Sequence, residues 1–104
     1  MLQHVVLFSF PTDLSDDDWA EMQAMVRSWP DEIGGIDTIR IGPSINTERT
    51  RGYQYLLYTE FADLNALVRY QKHPVHQKFL KWVLDRDCTA LAFDYYADKD
   101  TVVI

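Results

Sequence analysis

The stretch Tyr70-Gln71-Lys72-His73-Pro74-Val75-His76 holds the residues in this chain best suited to chemistry. Two of the three histidines flank a proline just after a tyrosine. Proline lacks a backbone N–H and disfavours helix in the residue before it. His73 is therefore expected to end one helix, and Pro74 to open the next at its first position. His76 then falls in the first turn of the new helix, where the positive end of the dipole disfavours a protonated imidazole. A neutral imidazole beside a phenol can accept a proton or orient a ligand.

The elements that must position this pair follow from hydrophobic periodicity. Residues 2–10 read as a strand, with Leu2, His4, Val6, Phe8 and Phe10 on one face. Ser15 and Asp18 resemble a capping box, and Trp19, Met22, Met25, Val26 and Trp29 recur at helical spacing. Pro30 and Gly34-Gly35 are expected to end that helix. Residues 36–41 form a second strand, punctuated by Gly42-Pro43. Residues 46–52 are a polar loop, and residues 53–61 a third strand. A helix begins at Asp63 and resumes at Pro74, with Phe79, Leu80, Val83 and Leu84 on its apolar side. Residues 88–96 are the fourth strand, and residues 101–104 are an apolar tail able to add to a sheet edge. The order β-α-β-β-α-β predicts an α+β, ferredoxin-like domain with a four-stranded antiparallel sheet and its helices on one face.

Strand alternation assigns the faces. The helix side carries His4, Val6, Tyr55, Leu57, Ala90 and Ala92, opposite Tyr70, His76 and Phe79. Small alanines facing large polar side chains predict a cavity between helices and sheet, lined by Val6, Tyr55, Leu57, Ala92 and Phe79. The other face carries Val5, Leu7, Leu56, Tyr58, Leu91, Phe93 and Tyr95, too apolar to face water in a lone domain. A homodimer joined through that face is expected.

Composition sets the outer bounds. The chain of 104 residues suits one domain, and a hydrophobic fraction of 47% suits a real core. A net charge of −6 argues against nucleic acid, since Arg49, Arg51 and Arg69 are too scattered for a phosphate track. Cys88 is the sole cysteine, so neither an internal disulfide nor a multi-cysteine zinc site can form. Asp16, Asp17 and Asp18 read as a solvated helix start, and His73 with His76 lack a third metal ligand. No cofactor signal is present. No segment approaches the roughly 20 apolar residues of a membrane span, and no leader is visible, so a soluble cytoplasmic protein is expected.

The chain resembles the Dabb family, the stress-responsive A/B barrel domain. The resemblance rests on His4-Val5-Val6-Leu7-Phe8, Gly52-Tyr53, Tyr58-Thr59-Glu60-Phe61, Tyr70, His73-Pro74-Val75-His76, Phe79 and Phe93-Asp94-Tyr95. It covers residues 2 to about 96, and so makes residues 1–104 a single such domain. It implies a dimeric α+β barrel. Some plant members are polyketide cyclases that work without a cofactor. Their active tyrosine and histidine match Tyr70 and His76, and a first-strand histidine matches His4. Those cyclases carry a further histidine where this chain has Tyr55, and a tyrosine where it has Val26.

Three readings follow. His76 takes a proton next to a carbonyl that Tyr70 hydrogen-bonds, while His4 orients the substrate. Alternatively, the cavity holds a small apolar or aromatic molecule without turnover, in a stress-related role. In the third reading the domain is a structural dimeric module, with His73 a helix cap and His76 a satisfied core histidine.

Overall fold

The computed structural model describes residues 1–46 and 48–104. The elements run β1 (Leu2–Ser9), α1 (Asp16–Arg27), α2 (Trp29–Glu32), β2 (Thr38–Pro43), β3 (Tyr55–Phe61), α3 (Leu64–Lys72), α4 (Pro74–Leu84) and β4 (Thr89–Tyr96). The four strands form one antiparallel sheet in the order β2-β3-β1-β4, which is the ferredoxin-like α+β arrangement.

Local signals act where the sequence puts them. Ser15 caps α1 by accepting from the Asp18 N–H at 3.1 Å, and Asp63 caps α3 by accepting from the Ala66 N–H at 2.9 Å. The helix pair α3–α4 breaks at His73-Pro74, with His73 the shared cap. Asp18 is more than a solvated helix start. Its carboxylate receives two hydrogen bonds from the Arg86 guanidinium, which also lies 3.7 Å from the Trp82 ring. That pair ties the start of α1 to the end of α4.

Several expectations are corrected. Pro30 does not end the first helix. The helix ends at Ser28, whose hydroxyl donates to the Met25 carbonyl at 2.7 Å, and Pro30 sits in the first turn of α2, where its missing N–H costs nothing. Gly34 and Gly35, both at φ +71°, then make the reversal. Gly42-Pro43 belongs to β2 rather than punctuating it, which an edge strand tolerates. The third strand starts at Tyr55, two residues later than expected. Of the loop expected at residues 46–52, residues 48–52 are turn, and Thr47 lies outside the described residues. Residues 101–104 add to no sheet edge and lie exposed.

The core lies between the sheet and the helices. Phe8, Leu57, Phe61, Met22, Trp29, Tyr70 and Phe79 are almost wholly buried there. Among the described residues, no helix is long and apolar enough to cross a membrane.

Candidate functional site

The cavity beside α4 is built from β1, β4 and the α3–α4 break. β1 presents His4, Val6 and Phe8 to the helices, because alternate residues share a face. β4 is the sheet edge on this side, and its Ala90 and Ala92 are exposed because no helix lies over them. A cleft of about 510 Å3 results, bounded across from the sheet by Tyr70, His76, Phe79, Leu80 and Val83. His4, Val6, Leu57, Tyr70, His76, Phe79 and Ala92 all line it.

Tyr55 does not line this cleft. It pairs with Phe8, further along β1 than the Val6–Leu57 pair, and its ring stacks on Trp19 at 4.8 Å and meets Phe10 edge-on at 5.9 Å. Packing against α1 holds it away from His76. His73 is turned to the backbone, its Nδ1 accepting from the Val75 N–H at 3.1 Å. Among the described residues, no three His, Cys, Asp or Glu side chains are grouped to hold a metal ion.

Three polar side chains converge at the inner end of the cleft. The Tyr70 and His76 rings lie 4.2 Å apart, and those of His4 and Tyr70 lie 6.2 Å apart, edge to face. Trp29 walls the group from above, 5.5 Å from Tyr70 and 5.6 Å from His76. Each histidine has a partner on the same ring atom. His76 Nδ1 faces the Gln71 carbonyl oxygen at 3.3 Å, and His4 Nδ1 meets the Asp94 carboxylate. A carbonyl or a carboxylate can only accept, so in the neutral rings Nδ1 carries the proton and Nε2 is left with a free lone pair. The Tyr70 hydroxyl is buried and has no hydrogen-bond partner within the protein.

Burial sets the protonation states. It pushes His76 down to about 4, a shift the Gln71 carbonyl opposes and neighbouring His4 reinforces. Desolvation, rather than the position of His76 in the first turn of α4, is the largest cause. Burial also pushes the Tyr70 hydroxyl up, so it stays protonated. At neutral pH the site therefore offers a phenolic donor in Tyr70 and an imidazole acceptor in His76 within an otherwise apolar cleft. It can grip a carbonyl through Tyr70 while an imidazole takes a proton or accepts a hydrogen bond from the same molecule.

Asp94 is the functional candidate that residue reading gave no role. It pairs directly with His4 across β1 and β4, sharing a face with Ala90 and Ala92. A lone carboxylate in the inward phase of an apolar strand was the available signal. Gln71 contributes only a backbone carbonyl, which no side-chain pattern reveals.

The stress responsive A/B barrel domain model, Dabb, matches residues 2–97. The chain belongs to this family. Solved structures carry the same architecture. A protein from Arabidopsis thaliana is 25% identical, with 100% of this chain and 99% of that one covered and a TM-score of 0.81. A dimeric ferredoxin-like protein of unknown function from Jannaschia sp. CCS1 is 26% identical over 91% of this Dabb chain and 97% of its own, with a TM-score of 0.77. Hydroxynitrile lyase from Passiflora edulis has a TM-score of 0.82 over 97% and 96% of the two chains, but at 13% identity it shows the fold alone. No curated protein sequence matches this Dabb chain.

Proposed function

We propose that this Dabb protein is a homodimer whose cleft binds a small apolar or aromatic molecule bearing a carbonyl or hydroxyl group. His76, helped by Tyr70 and His4, moves a proton on the bound molecule without a cofactor. The observation that carries this reading is the buried, unpartnered Tyr70 hydroxyl, on a residue that lines the apolar cleft beside His4 and His76. A purely structural tyrosine is expected to have its hydroxyl satisfied. The dimer is supported by the dimeric ferredoxin-like neighbours and by the exposed Leu56, Leu91 and Phe93 on the open sheet face.

Aryl ketones and phenols, each paired with its deoxygenated isostere, form the test panel, read by calorimetry. Tyr70→Phe should weaken the oxygenated members about tenfold, the worth of one hydrogen bond left unmade, and spare the isosteres. Proton transfer is read separately, as deuterium exchange at the carbon next to the ketone carbonyl. Exchange by the wild type that is lost in His76→Ala supports the acid–base step. Binding without exchange leaves the ligand-binding module, and no binding by any member sinks the reading.

The low basicity of His76 favours an activated substrate. A base poised near 4 is matched to a proton already acidified by an adjacent carbonyl, which a hydrogen bond from Tyr70 would acidify further.

A further inference from the structure

Two surfaces are left largely open within one copy of the chain. The first is a groove of about 760 Å3 on the open face of the sheet, away from the helices. Its floor is the row Gly42, Leu56, Leu7 and Leu91, one residue from each strand in register. Its rim carries Arg40, Arg49 and Arg51. Among the described residues, none of these arginines has an acidic partner, although Arg40 lies 5.4 Å from the Tyr58 ring centroid. On a chain of net charge −6 this cluster is a local exception.

The second surface is the segment 98–104, Asp-Lys-Asp-Thr-Val-Val-Ile. Val102, Val103 and Ile104 are almost fully exposed. Asp98 pairs with the amino group of Met1 at 3.4 Å, Lys99 turns back over Tyr96, and the Thr101 hydroxyl donates to the Tyr96 and Lys99 carbonyls. The segment is therefore acidic at its start and apolar after it, the complement of a groove with a cationic rim and an apolar floor.

Strand register argues for a second copy over the same one. The segment leaves the sheet where Tyr96 pairs with Leu2, and the groove lies at the other end, where Leu7 pairs with Leu91. Folding back within one chain would use roughly 17 Å, or about five residues of extended chain, before the floor is reached. A two-fold axis across the strands brings the segment of one copy over the groove of the other, where the same residues can cross a four-stranded row of roughly 14 Å.

We propose that residues 98–104 of one copy dock in the arginine-rimmed groove of a second copy, with Asp98 and Asp100 at the arginines and Val102 to Ile104 on the leucine floor. This rests on the homodimer reading, and the test separates the two. In a Cys88→Ser background, chains carrying Ile45→Cys and chains carrying Val103→Cys are co-expressed under two tags and oxidised, while sedimentation reports the assembly. A mixed disulfide joining the two tagged chains is expected. Asp98→Arg with Asp100→Arg should weaken the dimer roughly 3–10-fold at low salt, and Arg49→Glu with Arg51→Glu should do the same. Mixing the two charge-reversed chains should restore both contacts in the mixed dimer, one with its native charges and one with them exchanged. An intact dimer with no mixed disulfide overturns the docking and leaves the dimer standing. A disulfide within one chain carrying both cysteines, with no mixed product, overturns it in favour of a segment folded back on its own sheet. A monomer at all concentrations overturns both.

Discussion

The two faces of the sheet use the same strands for opposite purposes. On β3, Leu57 is 1% exposed beneath the helices, while its neighbour Leu56 is 40% exposed on the open face. On β1 and β4, His4 and Asp94 pair on the helix side, while Val5 and Phe93 pair on the other. The helix side is covered by the chain itself except along Ala90 and Ala92, and each imidazole on it is fixed by an acceptor on Nδ1. The open face is apolar yet only partly buried, with Phe93 at 66% exposure, the mark of an interaction surface. One face is thus covered by folding, and on the proposed reading the other is covered by association.

The largest effect that can break this comparison is a charge placed on each face in turn. Leu57→Asp should destabilise the fold by more than about 4 kcal/mol, because a carboxylate in the core has no partner. Leu56→Asp, one residue away, should cost the monomer less than about 1 kcal/mol and abolish the dimer. Denaturant titration and sedimentation on both variants separate these outcomes. Equal losses of stability would show that the open face is part of the folding core.

Acid comes next in size. The folded-state value for His76 is lowered, so between about 6.5 and 4 the unfolded chain binds a proton that the folded chain refuses. The His76 contribution to stability is complete above about 6.5, falls as pH drops towards 4, and is constant below that. Across this window the loss should be on the order of 2–3 kcal/mol. His76→Gln should remove that part of the slope while leaving the carboxylate-driven slope at lower pH. Unfolding free energies of both proteins at pH 7 and pH 4.5 measure it, and parallel slopes would place His76 in contact with water.

Most of the fold was legible because its signals are local. Alternation in β1, the Ser15 and Asp63 caps and the His73-Pro74 break each depend on residues within a turn or a strand. The site was legible only where alternation and helix phase agreed, which brought His4, Tyr70, His76 and Phe79 to one cleft. Tyr55 was misplaced because phase gives a face but not a position along it, and the Trp19 ring claims that end of the strand. Asp94 went without a role because its partner is 90 positions away, joined to it only by strand register. Pro30 misled because a proline ends a helix or opens one depending on a turn that only packing settles.

A milder change tests whether Asp94 serves His4. Asp94→Asn keeps the shape but can present an amide N–H to Nδ1, which would move the imidazole proton to Nε2 and turn an acceptor into a donor. The half-exposed carboxylate should contribute less than about 1 kcal/mol to stability. Binding of ligands that donate a hydrogen bond should weaken several-fold, with ligands lacking a donor unaffected. Nitrogen chemical shifts of His4 report the tautomer directly. A ring with its proton still on Nδ1 would remove Asp94 from the site.

The smallest expected change in stability is the most diagnostic. Tyr70→Phe removes a hydroxyl that is buried without a protein partner, so the folded state loses no hydrogen bond within the protein. Stability should stay the same or rise by up to about 1 kcal/mol, while affinity for oxygenated ligands falls. A tyrosine kept for packing alone would lose nothing in either measurement, since the ring and its contacts with Trp29, Phe61 and His76 persist in phenylalanine. A tyrosine kept for a structural hydrogen bond would lose stability and keep affinity. Only a hydroxyl held in reserve for a ligand gains or holds stability and loses binding, as expected where a site carries an unmet polar group for function. Thermal unfolding and calorimetry on the one variant therefore separate all three roles on the covered face, and neither measurement depends on whether the open face has found its partner.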